Sequence, residues 1–244
     1  MLVLLAMAVS SPAQPAPEAT AAFESYTASV EARLAEQHRS ADAFLATVDW
    51  ARLRRGEPAV ERVAADPQAG ASGALIHHWR GTAFAPGATA AEFEQLLLNF
   101  EGYPNVFAPQ VVAAKAMAAE GDGKQVWMRT RQRHGLRVTL DATYNVAFGE
   151  LDDAHRYSSS RSRRIAQIEP GGQGFDGLLW RQNTYWSWEE REGGLAIQIE
   201  SVSLTRAIPR GMGWAIGVFA ERIPREELEF TLRSACNALG RTRR

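Results

Sequence analysis

The stretch Pro224-Arg-Glu-Glu-Leu-Glu-Phe-Thr-Leu-Arg-Ser-Ala-Cys-Asn-Ala-Leu239, followed by Gly240, decides how the rest of the chain is read. Leu228, Thr231, Leu232, Ala235 and Leu239 recur at helical spacing, so one face is apolar while Glu226, Glu229 and Arg233 fall elsewhere. Pro224 suits the first helical position, where its missing N–H has no partner to lose. Glu226 and Glu227 sit where the positive end of the helix dipole favours them. Gly240 is placed to take the left-handed conformation that closes a helix. The sequence therefore predicts a long C-terminal helix over residues 224–239 whose apolar face needs a surface to land on.

Strand patterns upstream supply that surface. Residues 136–148 alternate cleanly, with Leu136, Val138, Leu140, Ala142, Tyr144, Val146 and Phe148 on one face. Residues 74–84, 110–118, 124–133, 156–168, 178–190 and 195–206 read as further strands. The last two face each other across Arg191-Glu-Gly-Gly194, a hairpin signal. Short turns between successive strands imply an antiparallel sheet. Between the first two strands, Thr89 and Glu92 form a capping box for a helix with Phe93, Leu96, Leu97 and Phe100 on its buried face. Residues 20–50 read as helix, with a stripe of Phe23, Tyr26, Val30 and Leu34 and a second short piece around Phe44, Leu45 and Val48. A short strand at 59–64 and a loop at 66–73 follow. Residues 20–70 are thus expected as a helical extension packed on a main domain at 71–240.

Residues 1–19 read differently. Met1 to Val9 is an apolar run too short to span a bilayer, and Ser11-Pro-Ala13 fits a signal-peptidase site before a Pro/Ala-rich linker. No Lys or Arg precedes the run. The expectation is export to a periplasmic or extracellular compartment, with mature protein starting near Gln14; an uncleaved N-terminus in a cytosolic fraction would refute it. Cys236 is the only cysteine, so no intrachain disulfide forms. Lys plus Arg at 27 against Asp plus Glu at 28 gives a formal charge of −1, which argues against a general nucleic-acid binder.

The element order resembles the helix-grip architecture of the START-like, or SRPBCC, superfamily, which includes lipid-transfer domains and polyketide cyclase-like proteins. The residues that carry the resemblance are Thr82-Ala-Phe-Ala-Pro-Gly87 with the helix at 90–100, Gly102-Tyr-Pro-Asn-Val106, and Ile223-Pro-Arg-Glu-Glu-Leu228. Leu179-Trp-Arg-Gln-Asn-Thr-Tyr-Trp186 and Glu200-Ser-Val-Ser-Leu-Thr-Arg206 resemble a bacterial branch of it, from which no catalytic residue carries over. The resemblance implies an α+β fold in which a curved antiparallel sheet wraps a long C-terminal helix, often enclosing a pocket.

Catalytic signatures are scarce. His77-His78 invites a metal reading, but neighbours on a strand point to opposite faces, and no HExxH or CxxC accompanies them. Cys236 lies beside Leu232 and Leu239 on the C-terminal helix, the setting of a small apolar residue. Gly121-Asp-Gly-Lys124 is too short for a phosphate-binding loop, and no nucleophile elbow is present. The run Arg156-Tyr-Ser-Ser-Ser-Arg-Ser-Arg-Arg164 reads as a solvated sheet face, with anionic lipid head groups as the functional alternative. By alternation, Arg161 and Arg163 share a face with Tyr157 and Ile165.

Seven tryptophans are the strongest remaining signal. Alternation puts Trp180, Trp186 and Trp188 on one face of the hairpin with Gln182 and Thr184, and Arg181, Asn183 and Tyr185 on the other. The partner strand offers Leu195, Ile197 and Ile199 against Glu200, Val202 and Leu204. The expected ligand-binding set is Trp180, Arg181, Tyr185, Trp186, Trp188, Ile197, Ile199 and Glu200, joined by Leu140 and Tyr144. No cofactor or metal is expected; the expected partner is a hydrophobic small molecule or lipid, with peripheral membrane contact as an additional option. A cyclase- or hydratase-type enzyme and a filled-core interaction module are the alternatives. A cavity below about 300 Å³ leaves no room for a lipid or polyketide, and Glu200 or Tyr185 facing ligand space would favour the enzyme.

Overall fold

The computed structural model describes residues 14–63, 73–118, 123–132, 138–168, 177–207 and 222–241. Several expectations therefore lie outside the described residues: the apolar run and cleavage motif before Gln14, most of the loop at 66–73, the turn at 121–122, Gly135, the glycine-rich loop after Pro170, and the connection preceding residue 222.

Five α-helices and eight strands are described: α1 (Pro17–Gln37), α2 (Trp50–Arg54), β1 (Ala59–Arg62), β2 (Ala74–Pro86), α3 (Ala90–Leu98), α4 (Tyr103–Val106), β3 (Val111–Met117), β4 (Lys124–Gln132), β5 (Val138–Glu150), β6 (His155–Gln167), β7 (Leu179–Arg191), β8 (Gly194–Arg206) and α5 (Ile223–Arg241). The strands form one sheet in the order β1-β2-β8-β7-β6-β5-β4-β3, and every adjacent pair is antiparallel. The first long strand thus closes against the last one, placing β2 beside β8, while the rest of the sheet grows away as a meander.

The local reasons are those the sequence offers. Thr89 and Glu92 form the reciprocal capping box at the start of α3. Arg191 pairs with Gly194, so Glu192 and Gly193 make a two-residue turn. Both have positive φ, 52° and 77°, the geometry that matches the natural twist of a hairpin. On α5, Leu228, Leu232, Ala235 and Leu239 are buried and pack with Trp79, Phe93, Trp186, Trp188 and Ile197. Gly81 on β2 makes this grip close: a Cβ there would lie 2.8 Å from Leu232 Cδ1.

On the opposite face, Ala19, Phe23, Val30 and Leu34 of α1 pack against Ile76, Trp180, Tyr185, Val202 and Leu204. The β2–β8–β7 part of the sheet is therefore sandwiched between α5 and α1.

Four details correct the sequence expectations. Helix α5 continues through Gly240 to Arg241, so that glycine is helical and not a left-handed cap. The second N-terminal helix is not at 44–48; a 3₁₀ turn occupies Ala41–Ala43, and α2 begins at Trp50, capped by the Asp49 carboxylate. On β7, Leu179 pairs with Thr205 and Arg181 with Leu204, leaving Trp180 as an extra residue in a β-bulge. On β6, Arg164 pairs with Thr143 and Ser162 with Tyr144, leaving Arg163 extra. The two bulges break the alternation: Trp180 leaves the face of Trp186, and Ile165 leaves the face of Arg161.

Candidate functional site

The inner face of the sheet, α5 and the α3–α4 region enclose a cavity of about 290 Å³. Its walls change character along the strands. Leu97, Phe100, Tyr103 and Phe107 from the α3–α4 region, with Val126, Leu140, Ala142 and Val146 from β4 and β5, form an apolar end. Along β8, the lining residues run Ile199, Ser201, Ser203, Thr205. Strand pairing aligns Trp79, Ser201 and Thr184 in one row and His77, Ser203 and Gln182 in the next. A belt of uncharged polar groups therefore crosses β2, β8 and β7. Arg131 and Glu227 also line the cavity, from β4 and α5.

Two belt residues carry buried ring nitrogens without hydrogen-bond partners among the described residues, Trp79 Nε1 and His77 Nδ1. His77 Nε2 lies 2.9 Å from Thr205 Oγ1, so only one side of that ring is engaged. An unmade hydrogen bond to a buried polar group costs about 1–3 kcal/mol. Burial pushes the His77 pKa down to about 4, with the nearby positive charge of Arg62 adding to the effect, so the imidazole is neutral at pH 7. Burial likewise raises the Tyr103 and Tyr144 hydroxyls above their ordinary pKa, and the Glu227 charge adds to the effect on Tyr144.

The expected ligand-binding residues separate into three groups. Trp186, Ile199, Leu140 and Tyr144 line the cavity. Trp188 and Ile197 share the inner face but lie beyond the cavity, fully buried under α3 and α5. The Trp188 indole donates to the Ala90 carbonyl at 3.1 Å, which pins β7 to the start of α3. Trp180, Arg181, Tyr185 and Glu200 do not line it; Trp180 and Tyr185 pack with α1 on the outer face, Trp180 because of its bulge.

Glu200 is the hub of that outer layer. It accepts from His78 Nε2 at 2.7 Å, Arg33 at 2.5 Å and Arg80 Nε at 3.0 Å. Because a carboxylate here only accepts, His78 Nε2 donates, and Nδ1 faces the Tyr26 hydroxyl at 2.9 Å. Burial on its own would raise the Glu200 pKa, but the hydrogen bonds from His78 and Arg33 and the charges of Arg80 and Arg33 outweigh it and hold the carboxyl down at about 2. The Tyr185 hydroxyl donates to Glu31 at 2.8 Å, and Arg161 donates to the same oxygen at 2.6 Å. These groups spend their hydrogen bonds on one another, and none of them lines the cavity.

His77 and His78 point to opposite faces, one to the cavity and one under α1. Among the described residues, no three His, Cys, Asp or Glu side chains group closely enough to hold a metal ion. Burial pushes the Cys236 thiol up to about 11, so it carries little thiolate at neutral pH.

The belt residues His77, Trp79, Ser201, Ser203 and Thr205 were not among the expected site residues. Their signal lay in the alternation of β8 past Ile199, readable once the hairpin register fixes which face is inner.

No protein-family profile matches this sequence, and no curated protein matches it. Solved structures do. A STAR-related lipid transfer protein from Xanthomonas axonopodis superposes with a TM-score of 0.51 at 13% identity, over 74% of this chain and 98% of that one. A START superfamily protein from Mycobacterium smegmatis gives 0.47 at 12% identity, over 69% and 98%. The Zhui aromatase/cyclase from Streptomyces sp. R1128 gives 0.44 at 16% identity, over 70% and 97%. The chain has the START-like helix-grip fold.

Proposed function

We propose that this protein binds and carries a small hydrophobic molecule in the cavity between its sheet and α5. The carrying observation is a cavity of about 290 Å³ with an aromatic and aliphatic end, lined by Phe100, Phe107, Leu140 and Trp186. The volume is roughly twice the ~150 Å³ that accommodates benzene and falls just below the ~300 Å³ needed for a lipid or polyketide. That size fits two or three fused rings or a short chain; a two-chain lipid is too large. The similarity in fold to a STAR-related lipid transfer protein is in keeping with a hydrophobic ligand.

Carriage is preferred over catalysis because the two acid–base candidates singled out in the sequence, Glu200 and Tyr185, are on the outer face. Glu200 and Tyr185 spend their hydrogen bonds on Arg33, His78, Arg80 and Glu31. The test is titration with a two-ring, environment-sensitive fluorophore, read as energy transfer from tryptophan. Saturable transfer is expected, weakened by Trp186→Phe at the cavity wall and unaffected by Trp180→Phe behind the sheet. Absence of saturable binding at micromolar concentrations would leave a filled-core interaction module as the better reading.

A further inference from the structure

We infer that the ligand is an uncharged amphipath whose oxygen function, a hydroxyl or carbonyl, docks on the polar belt formed by His77, Trp79, Ser201, Ser203 and Thr205. This rests on the carrier reading above and specifies which hydrophobic molecules the cavity takes.

The argument begins from what a purely apolar cavity would look like. Packing needs alone would continue β8 past Ile199 with apolar residues on the inner face; instead Ser201, Ser203 and Thr205 stand there, each lining the cavity. Gln182 and Thr184 extend the belt onto β7, and the Gln182 amide donates to Ser201 Oγ at 3.3 Å. Trp79 and His77 complete it on β2, each with a ring nitrogen that has no hydrogen-bond partner among the described residues. Both side chains line the cavity, so an oxygen brought in by an occupant can supply the missing partner. Trp79 Nε1–H only donates, which requires an accepting oxygen. His77 Nδ1 donates or accepts according to tautomer, which suits a hydroxyl as well as a carbonyl.

The belt itself contains no charged side chain. His77 is neutral at pH 7, as its lowered pKa requires. No belt residue offers a docked carboxylate a cationic partner, and burying a charge without one is costly; the positive charges near the cavity, Arg131 on β4 and Arg62 on β1, lie outside the belt. The molecule that fits therefore has an apolar body against Phe100, Phe107 and Val126 and a neutral oxygen against β2 and β8.

Calorimetric titration with three probes of one shape tests this: 2-naphthol, 2-methylnaphthalene and 2-naphthoate. Hydrophobicity alone ranks methylnaphthalene above naphthol, because the hydroxyl must give up its water. The expected result is the reverse, naphthol tighter than methylnaphthalene by about fivefold or more and naphthoate weakest. Trp79→Phe should remove most of the naphthol preference, read as the ratio of naphthol to methylnaphthalene affinity within the same variant. If Trp79→Phe does not fold, Ser203→Ala and Thr205→Val supply the same comparison with smaller changes. Equal or inverted affinities in the wild type, a naphthol preference that survives all three substitutions, or naphthoate binding tightest would overturn the inference and leave the carrier reading standing. Failure of all three probes to bind would overturn the carrier reading itself.

Discussion

The two faces of β8 are opposites that exchange character halfway along the strand. On the inner face the residues run Leu195, Ile197, Ile199 and then Ser201, Ser203, Thr205; on the outer face they run Ala196, Gln198, Glu200 and then Val202, Leu204. Charge sits only on the outer face, where α1 and β2 bring Arg33, His78 and Arg80 to meet it. The inner belt is neutral and keeps hydrogen-bonding capacity in reserve at Trp79 and His77. On the carrier reading proposed above, the outer face braces the fold and the inner face takes the ligand, although the outer face holds the more conspicuous residues.

Acidification strains both faces at once and has the largest expected effect. Burial pushes His38, which lies 2.8 Å from Ser187 Oγ on the outer side, down to about 4, with the Glu200 charge opposing and the Arg33 charge adding to the shift. His77 on the inner face is likewise at about 4. Both are depressed below the ordinary 6.5, so the unfolded chain binds more protons between pH 6.5 and 4, and stability falls as pH drops through that window. Glu200 extends the loss from about 4.5 down to about 2. Chemical denaturation across this range should show the decline. His38→Gln should flatten it between 6.5 and 4 without changing ligand affinity; an unaltered profile would remove His38 from the account.

Next in size is Glu200→Ala. It leaves Arg33, Arg80 and His78 facing a vacated carboxylate site, and breaking a buried ion pair costs about 3–5 kcal/mol. The figure belongs at the lower end because the Arg33 side chain is 37% exposed and water screens it. Ligand affinity of the folded fraction should be unchanged. A loss of binding at preserved stability would place Glu200 in the site and break the division between faces.

Within the inner face, Leu232→Ala and Leu140→Ala sharpen the contrast between core and cavity wall. Leu232 is fully buried against Gly81 and the tryptophans, so truncation should cost about 3–4 kcal/mol. Leu140 faces the cavity and has fewer packing partners on that side, so its cost should be about 2 kcal/mol. Equal costs by denaturation would mean that the cavity is filled when the chain is alone.

The fold was legible in the sequence because its signals are local and redundant. The capping box at Thr89, the alternation of β5, the Glu192-Gly193 turn and the stripe on α5 each specify an element without reference to the others. The site was legible only in part, since it depends on which face each residue joins. Single bulges at Trp180 and Arg163 reverse the face of what lies beyond them, and a bulge is set by how two paired strands accommodate each other, which a pattern in one strand does not record. Glu200 and Tyr185 drew attention as polar residues among aromatics. Their true partners, Arg33 and Glu31, lie 167 and 154 residues away in sequence, and only the docking of α1 brings them near.

Tyr185→Phe is the smallest effect and the most discriminating. Tyr185 is an acid–base candidate by sequence, and burial, the first cause, together with the Glu31 charge raises its hydroxyl above the ordinary tyrosine pKa, outweighing the hydrogen bond from Asn183. That raised value would suit a poised catalytic acid if a substrate lay against it, but the hydroxyl faces Glu31 on α1. Removing the oxygen deletes two hydrogen bonds, the donation to Glu31 and the acceptance from Asn183 Nδ2, while the ring keeps its place beside Val30, Val202 and Leu204. Glu31 retains Arg161, so no carboxylate is left unpaired, but the Asn183 amide loses an acceptor, and the expected cost is about 1–2 kcal/mol. The outer layer should loosen slightly, seen as faster amide exchange in α1, while naphthol affinity stays within twofold of wild type. A binding loss of tenfold or more at that small stability cost would mean that the outer face communicates with the cavity through β7, and the separation between brace and ligand site would have to be abandoned.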